Sequence, residues 1–242
     1  MKHPNLFSKS KIQPTLIGLS EDKERYCLVK NEAGNLSLFW HSKQTELASL
    51  LEQAPHFKLG HFSPQTNKLN RTFLIVRPIA HSYIWRKTVF LSKSLDDTQL
   101  RQKVLHILKN EQPLSLELLN FDYQTFQSNH PHLNKIVIYA VRKSYAEQFT
   151  EVPCILDCEL HCYMRAISHF YHKQPIPEFP CFKFQHQIVQ FSENNLQFLD
   201  TEPENCIHLP KIAAIESEMD LASQHLYFLA LGASLWNGKG LI

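Results

Sequence analysis

The chain has 242 residues, of which 43% are hydrophobic and 20% charged, so it is long enough to bury one sizeable core or two small ones. Its 25 Lys and Arg residues nearly balance 23 Asp and Glu residues, and this balance does not indicate a nucleic-acid surface. Only six residues are glycine, far below the roughly 7% of an ordinary chain. A loop that wraps a phosphate needs backbone without side chains, so the composition argues against ordinary phosphate-loop chemistry.

Strands and helices alternate along the hydrophobic pattern. Short β-prone runs predict strands over 15–19, 25–29, 36–40, 72–76, 82–91, 118–123, 135–141, 154–157, 182–191 and 196–199. Amphipathic spacing predicts helices over 45–54, 144–149, 160–171 and 212–236, and a capping box at Ser94–Asp97 predicts the start of a further helix that ends near Asn110. The run from 135 to 141 is almost continuously apolar, which is typical of a central strand. The sequence therefore predicts an α/β fold.

The order of these elements predicts three parts. Residues 1–80 would form the first part of a main domain, with a three-stranded meander, a helix and a strand. Residues 81–130 would form a small inserted α+β subdomain, and residues 131–242 the second part of the main domain, ending in a long helix. The Pro-rich segment 174–180 is the clearest linker candidate.

Three residue sets raise chemical alternatives. Cys154, Cys158 and Cys162 are spaced four residues apart, but zinc and cluster sites usually rely on C-x2-C pairs, which favours buried thiols. Four carboxylates lie at or near predicted strand ends, where two-metal nucleases gather their metal ligands. They are Asp122, Asp157, Glu159 and Asp200. The first strand carries no carboxylate, so turn formation and helix capping are the preferred interpretation.

Aromatic and basic residues between 71 and 90 leave direct DNA binding as an alternative.

Several short segments are weak signals individually, but their order and spacing along the chain are informative. They are Phe121-Asp-Tyr123, then 136–143 (IVIYAVRK), 154–159 (CILDCE), 164–166 (MRA) and 229–233 (LALGA). Together they resemble the PilM family of actin-like proteins, particularly its short members, the competence protein A (ComA) type and the HofM-type DNA-utilisation proteins. The resemblance implies a reduced actin-like (ribonuclease H-like) fold with the inserted α+β subdomain at 81–130.

The resemblance also locates a degenerate nucleotide loop. The family's first phosphate loop resembles IGLDIGSSSVK, and this chain has IGLSEDK at 17–23, keeping Gly18 but placing Ser20 at the metal-side Asp and Asp22 at the second Gly. A carboxylate there would repel a phosphate. The second loop, expected within 181–187, has neither Asp nor Gly, and the GG motif before the last helix is absent. We therefore expect no cofactor, ATP included, and no ATPase activity.

Family members hold the cytoplasmic N-terminal tail of a PilN-like or ComB-type inner-membrane protein in a groove between the main and inserted domains. The resemblance thus implies a cytoplasmic adaptor of a type IV pilus or competence platform, held at the inner membrane by its partner and supporting DNA uptake. The groove candidates, chosen as aromatic or charged residues on or beside junction strands, are Arg71, Phe73, Phe90, Tyr123, Arg142 and Lys143. An ATPase of the same fold and a DNA-binding module are the alternatives.

The six cysteines, with an N-terminus that lacks an apolar leader, predict reduced thiols in the cytoplasm.

Overall fold

A computed structural model of the chain describes residues 15–32, 34–53, 73–149, 151–171, 180–191, 196–207 and 220–236. The strands are β1 (Thr15–Glu21), β2 (Arg25–Glu32), β3 (Asn35–Ser42), β4 (Phe73–Ile79), β5 (Trp85–Ser92), β6 (Leu119–Gln127), β7 (Leu133–Arg142), β8 (Ile155–Cys158), β9 (Cys181–Phe184), β10 (Gln187–Phe191) and β11 (Leu196–Leu199). The α-helices are α1 (Leu47–Gln53), α2 (Asp97–Glu111), α3 (Lys143–Ala146), α4 (Glu159–Phe170) and α5 (Leu221–Ser234). The predicted α/β class is confirmed.

The first sheet has five strands in the order β3-β2-β1-β4-β8. β1, β2 and β3 are antiparallel neighbours, whereas β4 runs parallel to β1 and β8 parallel to β4. Alternate residues of β1 point to opposite faces: Ile17 and Leu19 join the apolar cluster of α1, and Ser20 bonds to α5. The sheet is therefore covered by helices on both faces.

A second sheet has the order β5-β7-β6, so β7 is its central strand, as its apolar run predicts. One face of β7 places Ile136 and Ile138 against Val104 of α2, while the other face adds Val137 and Tyr139 to the main core around α4 and α5. β5, α2 and β6 come from the predicted inserted subdomain, but their sheet is completed by β7, which lies beyond residue 130. The division into three domain segments stays a prediction.

Several element boundaries were predicted wrongly, among them the start of α2, which is capped by Asp96 together with Gln99 and not by Ser94. The strand expected over 182–191 is two strands, β9 and β10, joined by a turn in which Gln185 has φ 54°; with β11 they form a third sheet, β11-β10-β9. The last helix, expected from 212, begins only after Asp220, which is extended and accepts a hydrogen bond from the Ser223 backbone N–H at 2.7 Å. Residues 212–219 lie outside the described residues. None of the described helices is both long enough and apolar enough to cross a membrane.

Candidate functional site

A cleft of about 740 Å³ separates the first sheet from the second. One wall comes from α2 and β6, the opposite wall from β8 and the segment that leads into it, and α3 lies between them. The lining residues are Arg101, Leu119, Asn120, Phe121, Lys143, Ala146, Phe149, Val152, Pro153, Cys154 and Leu156. This volume is in the range of pockets that hold drug-sized ligands or several side chains of a peptide.

Both walls of this cleft carry an edge strand. β6 is the last strand of the second sheet and β8 is the last strand of the first, and in the described part of the chain no strand pairs with the outer edge of either. Unpaired edges present backbone N–H and C=O groups that an extended segment can use for main-chain hydrogen bonds. The cleft is therefore suited to a peptide in an extended conformation.

The charge of the cleft has one sign. Arg101 and Lys143 are its ionised lining residues, both exposed, and among the described residues no carboxylate lines the cleft. The guanidinium carbon of Arg101 lies 5.7 Å from the centre of the Phe121 ring. The thiol of Cys154 donates to the Phe149 carbonyl at 3.4 Å, and burial raises the pKa of Cys154, so this thiol adds no negative charge. The cleft thus combines a mainly apolar lining with two cations.

The six groove residues proposed from the sequence have different environments. Lys143 lines the cleft, and Arg142 is exposed at the preceding position. Phe73 is buried in the core beneath α1, Tyr123 packs against the core beside α2, and Phe90 is 45% exposed on β5. Arg71 lies outside the described residues. Their role in partner binding stays a prediction.

Most cleft residues were not among those candidates. Arg101, Phe121, Phe149 and Pro153 come from a helix, a strand and a connecting segment, and of these only Phe121 belongs to a segment that the resemblance singled out. For Arg101 and Phe121 the detectable signal was the position of α2 and β6 within the predicted insertion, since a groove was expected between the two parts of the fold. Which side chains line it depends on the packing of α2 and α3, which periodicity does not predict.

The predicted nucleotide loop is occupied by the protein's own groups. A Cβ atom on Gly18 would lie 1.8 Å from the Ala230 carbonyl oxygen and 2.6 Å from the Ser234 nitrogen, so this glycine allows α5 to approach β1 closely. The Ser20 hydroxyl is buried and donates to the Leu226 carbonyl at 2.6 Å. Both positions therefore hold the last helix on the sheet.

Asp22 closes the turn between β1 and β2. Its Oδ1 accepts hydrogen bonds from the backbone N–H groups of Glu24 and Arg25, each at 2.8 Å, and its Oδ2 accepts one from the Arg25 Nε at 3.1 Å. Partial burial tends to raise the pKa of Asp22, but these hydrogen bonds and the charge of Arg25 outweigh it and lower the pKa below 3.8. The N–H groups that a phosphate would need in this turn are engaged by a carboxylate.

The other chemical candidates are dispersed. Buried Asp157 forms an ion pair with Arg165, and Glu159 accepts from the His81 Nδ1 at 2.6 Å. Among the described residues, no group of three or more His, Cys, Asp or Glu side chains is placed to hold a metal ion. Cys154 and Cys158 precede α4 and Cys162 lies within it, so the three thiols do not share a helix face. All six cysteines are free.

Comparison with known proteins gives similarity in fold. No family model and no curated protein matches the chain. A chain of the PilM–PilN type IV pilus biogenesis complex is similar in structure, with a TM-score of 0.50 and 11% identity over 76% of this chain and 61% of that one. The cytoplasmic domain of EpsL, an inner-membrane component of the type II secretion system of Vibrio cholerae, gives a TM-score of 0.46 and 13% identity over 92% of this chain and 98% of that domain. The present chain thus spans less than two thirds of the PilM–PilN chain, and at this identity the likeness concerns the fold alone.

Proposed function

We propose that this chain is a non-catalytic cytoplasmic adaptor of an inner-membrane assembly platform of the type IV pilus kind. It would hold the cytoplasmic N-terminal tail of a PilN-like protein and so be located peripherally at the membrane. The observation that carries this proposal is the cleft between the two sheets, with edge strands on both walls. The likeness in fold to a chain of the PilM–PilN complex supports it.

The finer assignments rest on the sequence resemblance. We infer a reduced actin-like (ribonuclease H-like) fold with an inserted α+β subdomain, a place among the short ComA and HofM-type members, and a role in DNA uptake. The strand order of the first sheet, three antiparallel strands followed by two parallel ones, supports the fold assignment. A ComB-type protein is the corresponding partner.

The cleft indicates how the tail would bind. An extended segment would add to the edge of β6 or β8 through main-chain hydrogen bonds, while apolar side chains contact Phe121, Phe149 and Val152. Because Arg101 and Lys143 are the ionised lining residues, we expect the bound segment to carry an acidic residue beside its apolar ones. Edge pairing would supply affinity and the two cations would select among sequences.

The absence of catalysis is part of the same proposal. Asp22 engages the N–H groups of its own turn, and Ser20 and Gly18 are committed to contacts with α5. A nucleotide phosphate would have to displace a carboxylate and a buried helix. Calorimetry with MgATP should therefore give no binding heat, and micromolar binding would instead support an ATPase of this fold.

The direct test is a titration of the chain with a synthetic peptide of the cytoplasmic N-terminal tail of a PilN-like protein from the same organism. Lys143→Glu should weaken binding about fivefold, since reversing one exposed charge beside an acidic group changes the free energy by about 1 kcal/mol. Lys103→Glu is the matched control, because Lys103 is exposed on α2 but does not line the cleft. Equal effects of the two substitutions would argue against this binding site, and salt-dependent binding to DNA without peptide binding would favour the DNA-binding alternative.

A further inference from the structure

A second, smaller cavity of about 180 Å³ lies where β4 and β8 end, and it shares no lining residue with the cleft. His81 follows β4, Cys158 ends β8, and Phe198 of β11 covers one side. The carboxyl ends of parallel strands are a common place for ligands in α/β proteins. Neither the predicted groove nor the predicted nucleotide loop includes this cavity.

Arg86 of β5 brings a positive charge to this cavity. Its Nε and Nη1 atoms are buried and have no hydrogen-bond partner among the described residues, none of whose carboxylates forms an ion pair with it. The Arg86 side chain does hydrogen-bond to Tyr139, but buried N–H groups that lack an acceptor are unfavourable, because their desolvation is not repaid. Within the described part of the chain, the Nε and Nη1 atoms of Arg86 therefore lack an acceptor.

The neighbouring polar groups do not supply a negative charge. Burial raises the pKa of Tyr139 to about 12, even though the nearby Arg86 guanidinium lowers it. Burial also raises the pKa of Cys158 to about 12. Burial, with the charges of Arg86 and Arg165, lowers the pKa of His161 to about 3. At neutral pH all three lining groups are uncharged.

Nearby carboxylates are already engaged. Glu159 accepts hydrogen bonds from the His81 backbone N–H at 2.8 Å and from the His81 Nδ1 at 2.6 Å. Asp157 forms an ion pair with Arg165. The start of α4, between Cys158 and His161, also lines the cavity and presents the positive end of the helix dipole to it. Among the described lining residues, Arg86 and the start of α4 are thus the positive groups, no carboxylate lines the cavity, and this arrangement favours an anion.

We propose that this cavity binds a small aliphatic monocarboxylate, with the carboxylate against Arg86 and the alkyl chain against Ile84, Leu160 and Phe198. A cavity of about 150 Å³ holds a benzene molecule, so the volume here suits roughly six non-hydrogen atoms, the size of butyrate. A phosphate dianion fits less well, because it would bring two charges to one cation among apolar walls. The site is independent of the proposed partner and of the proposed cleft.

The test uses butyrate as the probe and butyramide as its uncharged analogue, with binding followed by calorimetry and by the NMR signal of the His161 ring. Butyrate should bind saturably and move the His161 signal, and butyramide should bind at least tenfold more weakly. Arg86→Gln should weaken butyrate binding at least tenfold, whereas Lys103→Gln, at an exposed cation that lines neither cavity, should leave it unchanged.

Other outcomes overturn the proposal. Equal binding of butyrate and butyramide would remove the role of the charge, and tighter binding of inorganic phosphate would assign a different anion. Tighter binding of N-acetylglutamic acid amide would assign the site to an acidic side chain of a protein instead of a free acid. If Arg86→Gln does not fold, the wild-type titration still decides, because a His161 signal that does not move with butyrate contradicts binding in this cavity.

Discussion

Replacing Gly18 with alanine separates a structural glycine from a nucleotide-binding one. The added Cβ would lie 1.8 Å from the Ala230 carbonyl oxygen and 2.6 Å from the Ser234 nitrogen, both backbone atoms of α5 that cannot rotate away. The helix would have to recede from β1 by roughly 1.5 Å to regain ordinary van der Waals separation, and gaps of this size forfeit much of the dispersion energy of the contact. Ser20 would lose its hydrogen bond to Leu226 in the same movement.

Overpacking against immobile backbone costs about 3 kcal/mol, the upper end of the usual range. For a chain of this length we therefore expect Gly18→Ala to lower the melting temperature by roughly 6–12 °C, measured by circular dichroism together with urea unfolding. Gly34→Ala is the control: nothing lies within 4 Å of the added Cβ, but φ is +91°, so we expect a loss of only about 1 kcal/mol. A Gly18→Ala variant no less stable than Gly34→Ala would refute the close approach of α5.

Three further predictions concern charge and packing. Arg165→Met should destabilise the chain by about 3 kcal/mol in urea unfolding, because it leaves Asp157 buried without its partner, and adding Asp157→Asn should restore part of that loss. Asp22 has a folded pKa below 3.8, so its contribution to stability is present above that value and lost as pH falls through the folded pKa. Asp22→Asn should therefore make stability depend less on pH in acid, and an unchanged pH profile would show that the turn does not hold this carboxylate. Gly232→Ala should destabilise the chain about as much as Gly18→Ala, since its Cβ would lie 1.6 Å from the Cys162 carbonyl oxygen of α4; a neutral result in urea unfolding would contradict the contact between the two helices.

The elements that sequence patterns predicted best are those with one strong periodic signal. The apolar run at 135–141 predicts a strand buried on both faces, and β7 is the central strand of its sheet. The turn between β9 and β10 was missed because Gln185 and His186 are not typical turn residues, although Gln185 adopts a left-handed conformation with φ 54°. The start of α5 was missed because the cap at Asp220 interrupts a segment whose composition also suits a helix.

The candidate sites depended on contacts between distant parts of the chain. That a groove would form beside an inserted unit followed from the resemblance, but Arg101 and Phe149 belong to elements far apart in sequence and meet only through packing. The contact that Gly18 makes with α5 was not predicted, for a related reason. A glycine at that position fits a phosphate loop or a close helix approach equally well, and only the position of Ala230 distinguishes them. The environment of Arg86 is equally hidden, because the pattern of β5 does not show that its Nε and Nη1 atoms find no acceptor among the described residues.

The central claim is that the cleft holds the tail of a membrane partner, and calorimetric titration of the chain with the tail peptide tests it most directly. We predict saturable one-to-one binding that Lys143→Glu weakens and Lys103→Glu does not. The claim would be contradicted if the wild-type chain does not bind the peptide. It would also be contradicted if the peptide binds but neither Lys143→Glu nor Arg101→Glu, both in the cleft, changes the affinity.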